Sequence, residues 1–330
     1  MAVITNTFQS TSAVGNKEQL SDIVNRITPT DTPIYSDIGK GKLTGTHPEW
    51  EIDVLAAPAA NAQLEGDEYT FGAVTPPVRV GNYSQIYRKD GSVSNTQDAV
   101  DNAGRAEQLA EQKIKKGIEL RKDVELSIVA NTASVAGATR VSGGLPSWLT
   151  TNVSRGSGGA NGGFNTGTKL TVAETTGTQR AFTKTLLDTV MGQVYSAGGN
   201  VSTMYTSPYV KSVFSTFMSD TNVASQWTTG EKRTGLTING SVDAYMSPYG
   251  LINIKMDRVM ANSAAVARRV FLIDPDYASF DWLRPIKEDP DIAKTGDAKK
   301  FVLIGEGSLR VKNEAAHGEI ADVFGLTSGS

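Results

Sequence analysis

The chain has 330 residues, with 32 Lys and Arg against 35 Asp and Glu, a formal charge of −3 and no cysteine. Disulfides, thiolate catalysis and cysteine-held zinc are therefore excluded, and no strongly basic field favours nucleic-acid readout. No apolar run approaches the about 18 residues of a membrane span, and the N-terminus, MAVITNTFQSTSAVG, carries neither the basic nor the apolar region of a signal peptide.

Residues 1–20 read as a polar, extended arm. Residues 20–38 hold a short helix around Ile23, Val24 and Ile27 that stops at Thr28-Pro29; a second turn follows at Pro33, and Gly39 to Lys42 (GKGK) reads as a flexible joint. Residues 43–90 read as a long β-hairpin. Glu49 to Val54 alternates strictly, with Trp50, Ile52 and Val54 on one face, and the return strand holds Val78, Val80, Tyr83, Ile86 and Tyr87. Between them lies a wide tip, AAPAANAQLEGDEYTFGAVTPP. A two-stranded hairpin is marginal in water on its own, so this one is expected to rest partly on other subunits. On that expectation Trp50, Ile52 and Val54 supply an apolar inter-subunit face, while Glu51, Glu65 and Asp67 pair with basic residues across the boundary.

Thr96 to Asn131 reads as one continuous helix. Ala99, Ala103, Ala106, Ala110, Ile114, Gly117, Val124 and Ile128 fall on one face, and charges such as Glu111, Lys115, Lys116 and Asp123 occupy the others. Such a helix would run about 50 Å at 1.5 Å per residue, well beyond the radius of gyration of about 13 Å for a compact 100-residue domain. It is either half of a coiled coil or the strut of an extended subunit. Its alanine-rich face, without sustained Leu or Ile heptads, favours the strut.

Residues 136–168, rich in Gly, Ser, Thr and Asn, read as a long surface loop anchored by Leu145 and Trp148. Residues 180–275 read as a compact α/β unit. A helix over 181–197 with Leu186, Leu187, Val190 and Val194 closes at Gly198-Gly199, and a second opens at Ser207-Pro208 with Val210, Val213, Phe214 and Phe217. Strands are expected at VSTMYTS, SVDAYMS, LINIKMD and RRVFLID. Residues 276–330 return to β structure through YASFDWLRP, a turn at AKTGDAKK, and FVLIGEGSLRVKN, with AAHGEIADV closing the chain.

Four stretches carry a resemblance: ITPTDTPIYSDIGKG at 27–41, EWEIDVLAAPAANAQLEGDE at 49–68, VSNTQDAVDNAGRAEQLAEQKIKKGIELRKDVE at 93–125, and DWLRPIKEDPDIAKTGDAKKFVLIGEGSLRVKNEAAHGEIADV at 281–323. In content and order they resemble the SU-10-like branch of the tailed-phage major capsid proteins of the Hong Kong 97 (HK-97) fold. The resemblance implies an α+β subunit with an N-terminal arm (1–42), an extended hairpin loop (43–92) and a spine helix (93–134). A peripheral domain is implied over 135–180 and again over 276–330, with an axial domain over 181–275. It also implies self-assembly into hexamers and pentamers of an icosahedral head in the virion, built in the host cytoplasm around double-stranded DNA without sequence readout. A scaffolding protein and a portal are the implied partners during assembly, with room for a decoration protein and no membrane. Some capsids of this fold join a lysine of the extended loop to an asparagine of a neighbour. Here Leu43 to Tyr87 contains no lysine, so no such cross-link is expected.

Other chemistry has little to build on. His47 and His317 are the only histidines and have no metal-ligand spacing. Gly162 to Gly167 has P-loop spacing, but Thr168 stands where the lysine must be. Acidic clusters occur at Glu49, Glu51 and Asp53, at Glu65, Asp67 and Glu68, and at Glu288, Asp289 and Asp291; they read first as solvated or ion-paired surfaces. No catalytic residue, metal or cofactor is expected. The rival readings are an acidic-pair hydrolase, because such carboxylates meet in space rather than in sequence, and a surface binding module using the Gly-rich loop.

Overall fold

The structure, a computed structural model, describes residues 28–69, 71–100, 107–217, 243–294 and 296–323. The arm over 1–20 and the helix read around Ile23, Val24 and Ile27 lie outside the described residues. Two sheets organise the remainder in an α+β arrangement.

The first sheet has four strands in the order β1-β12-β13-β4: β1 (Gly39–Lys42), β4 (Gln85–Ser94), β12 (Ala278–Glu288) and β13 (Ala298–Val311). The two longest strands, β12 and β13, are antiparallel neighbours, and β4 runs antiparallel to β13 from Ala298↔Ser94 to Gly307↔Gln85. Gly39 to Lys42 is thus a parallel edge strand on β12, not a flexible joint. The glycine is needed there, because a Cβ on Gly41 would meet the Asp281 carboxylate. Nor is Pro33 a turn: it opens helix α1 (Pro33–Asp37), where its missing N–H costs nothing.

Helix α3 (Gln108–Val129) lies on this sheet and buries Leu120, Val124, Ile128 and Val129. The single helix expected over Thr96–Asn131 is instead two. Helix α2 (Asn95–Ala99) ends at Val100, whose backbone is extended, and Glu107 before α3 is extended as well. Residues 101–106, with Ala103, Gly104 and Ala106, lie outside the described residues. Tertiary ties explain why α2 does not simply continue the strut: Asn95 hydrogen-bonds Asp297, and Lys299 pairs with Asp98 at 2.5 Å, fastening α2 to the start of β13. At 22 residues, α3 spans about 33 Å. Under it, Tyr35, Tyr87, Phe280 and Trp282 form one aromatic cluster, with Phe280 and Trp282 centroids 4.9 Å apart and Tyr35 edge-on to Phe280 at 5.7 Å.

The hairpin is shorter than expected. β2 (Glu49–Ile52) pairs with β3 (Val78–Gly81), and the return strand then breaks at Asn82, so that β4 goes to the four-stranded sheet. Asn82 fixes the break. Its buried amide donates to the Leu309 carbonyl at 2.7 Å and accepts from the Gly143 N–H at 2.9 Å.

The second sheet has six strands in the order β5-β14-β11-β8-β10-β9. These are β5 (Val153–Ser154), β8 (Thr203–Thr206), β9 (Ala244–Ser247), β10 (Gly250–Met256), β11 (Val270–Ile273) and β14 (Gly318–Ile320). Helices α4 (Lys184–Ser196), capped by Thr183, and α5 (Pro208–Phe217) belong to this unit. Leu187, Val190, Val194, Val210 and Phe214 join Met204, Ile252, Val270 and Leu272 in one core. The described residues within 180–275 form α4, α5 and β8 to β11, and their sheet recruits β5 from the Gly-rich region and β14 from the closing segment AAHGEIADV.

The Gly-rich stretch 136–168 is largely packed rather than a surface loop. Leu145, Trp148 and Leu149 are buried, the first within a turn of 3₁₀ helix at Leu145–Ser147, and β6 (Gly163–Asn165) pairs with β7 (Leu170–Val172). Glycine permits this. A Cβ on Gly144 would collide with the Ala130 carbonyl at the end of α3. Polar bonds complete the seat: Ser134 and Thr171 each bond the other's backbone N–H, at 2.7 and 2.8 Å.

Candidate assembly surface

Residues 53–77 connect β2 to β3, and among the described positions none is in a strand or helix. The stretch contains Asp53, Glu65, Asp67 and Glu68 and no basic residue. Its large apolar side chains, Val54, Leu55, Leu64, Tyr69, Phe71 and Val74, are each 79–94% exposed. Local order is slight: the Asp67 N–H donates to the Leu64 carbonyl at 3.2 Å across a turn in which Gly66 has a φ of +84°. Covering each such side chain would contribute about 1.5–3 kcal/mol, so leaving all of them bare in one segment is costly.

The root of the segment, by contrast, is held firmly. Trp50 is buried and stacks on Trp148 at 5.4 Å; Trp148 stacks on Phe164 at 5.7 Å, and the Arg310 guanidinium lies over Trp50 at 5.4 Å. Glu49 gathers Arg79 and Lys169, each at 3.4 Å, and His47 at 3.9 Å.

The six residues singled out for inter-subunit contact therefore fall into two groups. Trp50 is spent on its own subunit, and Ile52 is half-buried against the same core. Glu51 projects from the outer face of β2; Val54, Glu65 and Asp67 are exposed in the connecting segment. Strict alternation places Val54 with Trp50, but the strand ends at Ile52, and the chain beyond it has left the core. Leu55, Leu64, Tyr69, Phe71 and Val74 were not singled out. Their only sequence signal is apolar bulk with neither a helical nor a strand period, in a stretch rich in Ala, Pro and Gly.

Elsewhere several buried charges are paired. Arg155 and Arg269 are sandwiched with Glu174 and Glu319. Burial raises the Glu306 carboxyl, but bonds from Ser84, Arg140 and Arg284 outweigh it and hold the group below its usual range. His317 is fully buried and pushed down to about 4 by that burial, with Nδ1 facing the Asp274 N–H at 3.3 Å. His47 stacks on Tyr83. Among the described residues no group of three or more His, Asp or Glu is placed to hold a metal ion.

The acidic clusters are not brought together. Glu288 pairs with Lys113 at 2.8 Å, and Asp289 accepts from the Asp291 N–H in a local turn. A groove of about 400 Å³ beside α3 does hold two carboxylates, Asp31 and Asp123. Each is engaged by a cation, Arg258 at 3.8 Å and Lys89 at 2.7 Å.

Comparison with known proteins agrees with this geometry. The profile of the family described as SU10 major capsid protein matches residues 3–324. The major capsid protein of Escherichia phage Phieco32 is 34% identical over 127 residues, which is 38% of this chain and 36% of that relative. The chain thus matches about a third of the length of that curated relative. Among solved structures, the cyanophage A-1(L) capsid asymmetric unit superposes with a TM-score of 0.62 at 13% identity, covering 97% of this chain and 99% of that one. The capsid of a native GTA particle gives 0.60 at 11% identity, covering 96% and 98%. A structure of the phage G major capsid and decoration proteins gives 0.55 at 9% identity, covering 97% and 99%. At such identities these likenesses show the fold, which is of the Hong Kong 97 capsid type.

Proposed function

The chain belongs to the SU10 major capsid protein family, and on that premise we propose that it is the shell-building subunit of a phage head whose exposed segment 53–77 is completed by neighbouring copies. The observation that carries this reading is the bare apolar side chains of that segment, set on a rigid root that keeps them away from the subunit's own core. A surface of this kind is satisfied in an assembly, and repeated copies of one heterologous contact form rings when the rotation between them closes. Val54 and the newly identified Leu55, Leu64, Tyr69, Phe71 and Val74 supply the apolar contact; Glu51, Glu65 and Asp67 meet basic groups of the neighbour.

In this reading the rings are hexamers and pentamers of an icosahedral shell, assembled in the host cytoplasm with a scaffolding protein and a portal. The four-stranded sheet with α3 is the peripheral part and spine, and the six-stranded sheet is the axial part. A charge of −3 suits a shell that encloses double-stranded DNA without gripping it. The subunit acts as a building block and not as an enzyme. Boiled, denatured shells should run as single chains, because Leu43 to Tyr87 offers no lysine for a cross-link; a covalent ladder would contradict this.

Deleting residues 56–76 tests the reading. The variant should remain a soluble, folded subunit that forms no shells by light scattering and negative-stain microscopy. Normal shells from the deletion would overturn it.

A further inference from the structure

One surface of the subunit gathers cations that lack a carboxylate. β1 lies at the edge of the four-stranded sheet with all of its residues exposed, and among the described residues no strand pairs with its outer side. Alternation along β1 separates its side chains. A Cβ at Gly41 would face the buried Asp281, so Lys40 and Lys42 point to the opposite side, the side of α3. There the Lys40 ammonium lies 4.8 Å from the centroid of the Tyr35 ring, and the exposed Arg121 of α3 reaches the same ring at 5.9 Å. Other cations on this sheet and on α3 are engaged: Lys89 with Asp123 at 2.7 Å, Lys113 with Glu288 at 2.8 Å and Arg284 with Glu306 at 3.1 Å. Asp37, the carboxylate closest in sequence to Lys40, is taken by Lys255 and the Tyr205 hydroxyl, both at 2.6 Å. Among the described residues Lys40, Lys42 and Arg121 have no ion-pair partner. Like charges held together repel, and a strand edge leaves N–H and C=O groups unmet.

The same chain carries the complement. At the turn from Leu64 to Asp67, Glu65, Asp67 and Glu68 are exposed and, among the described residues, have no ion-pair partner. The whole connection 53–77 contains no basic residue to neutralise them. Its shorter leg, the 12 residues from Gly66 to Val78, can extend to about 40 Å, more than the about 33 Å of α3. The turn can therefore cross to another subunit.

We propose that Lys40, Lys42 and Arg121 form the receptor for the acidic turn of a second copy of this chain, with Glu65 and Glu68 on the cations and the turn lying along the free edge of β1. Asp67, whose Oδ1 accepts the Glu68 N–H at 2.9 Å, shapes the turn. The docking rests on the shell-subunit reading and deepens it, because it names the basic groups that the exposed segment meets. It also gives the contact a direction: the turn of one copy enters the β1 edge of the next, so the interface is heterologous. Three cations on a chain of net charge −3 make a small track for nucleic-acid phosphates, but they match the three carboxylates of one turn.

Shells assembled from equal amounts of isotope-labelled and unlabelled full-length chain, treated with a carbodiimide that joins amines to carboxylates, test the docking. Peptides linking Lys40 or Lys42 to Glu65, Asp67 or Glu68 should appear, as often mixed in isotope as not. Shells without such links, or with links only inside one isotope, would overturn the docking and leave the shell reading standing. In a second arm, K40E/K42E should lower shell yield about tenfold through like-charge repulsion, and adding E65K/E68K to it should restore the yield to within about threefold. Full yield from K40E/K42E, or no recovery in the folded four-site variant, would overturn the docking. Full yield with less DNA retained would overturn it too, by assigning the patch to phosphate. Should K40E/K42E fail to fold, the links in the wild type decide. If the wild type forms no shells at all, the shell reading fails and the docking falls with it, a result distinct from shells without links.

Discussion

Residues 136–168 and residues 53–77 look alike as strings of small and polar residues without a period, yet they end in opposite environments. In the first, glycines let backbone approach backbone, as Gly144 does at Ala130, and Leu145, Trp148 and Leu149 are driven into the core. In the second, Phe71, Tyr69 and Leu55 are at least as apolar and remain bare. Composition therefore does not separate a packed connection from an exposed one. What separates them is whether the subunit has a surface within reach. The packed stretch runs beside the end of α3 and the edge of the six-stranded sheet, whereas the exposed stretch is carried outward by the β2–β3 root.

The largest effect should come from the packed side. Gly144→Val forces a side chain into the Ala130 carbonyl and should destabilise the subunit by about 4 kcal/mol or prevent folding, as read by urea unfolding. A variant as stable as the wild type would mean that the stretch is not seated as described. Trp50→Ala, at the root between the two regions, should cost about 3 kcal/mol, because it empties a site packed between Trp148 and Arg310. A loss below about 0.5 kcal/mol would place Trp50 back at a subunit boundary.

His317 gives a pH signature to the packed side, since Asn152 of the Gly-rich stretch bonds its carbonyl at 3.1 Å. Its folded value is depressed to about 4 from 6.5. The stabilisation is therefore complete above about pH 6.5 and is lost as pH falls through about 4, by up to about 3 kcal/mol. His317→Asn should flatten the acid limb of stability against pH; an unchanged limb would assign it to other groups. On the exposed side, Phe71→Asp should change subunit stability by less than about 0.5 kcal/mol, since Phe71 touches little in its own chain. It should nevertheless reduce shell yield severely in sedimentation. A large loss of stability, or normal shells, would remove the distinction between the two stretches.

Elements with a local physical cause were legible in the residues. The period and caps of α4 and α5, the alternation over Glu49–Ile52 and the β-rich runs of β10 to β13 appear where the pattern places them. The resemblance carried by four separated stretches anticipated the fold, because it rests on their order along the chain and not on any single motif. Errors arose where a distant partner overrode a local preference. A Gly-Lys repeat became β1 because β12 offered an edge. A helical pattern was interrupted after Ala99, where Asp98 and Asn95 are tied to Lys299 and Asp297.

The same division holds for the assembly surface. From the residues alone, 43–90 could be placed as an extended excursion with acidic and apolar side chains, because alternation and hairpin marginality are local properties. Only the tertiary structure assigned its individual side chains. Trp50 was drawn inward by Trp148, almost a hundred residues away in sequence, and Asn82 bent the return strand onto a sheet completed by β13. Sequence by itself determined the elements with a local cause, such as α4, α5 and the strands β10 to β13, since those follow from neighbours in the chain. Which apolar and acidic groups are buried, paired or left bare was decided by contacts between segments far apart, and on those contacts the assembly surface depends.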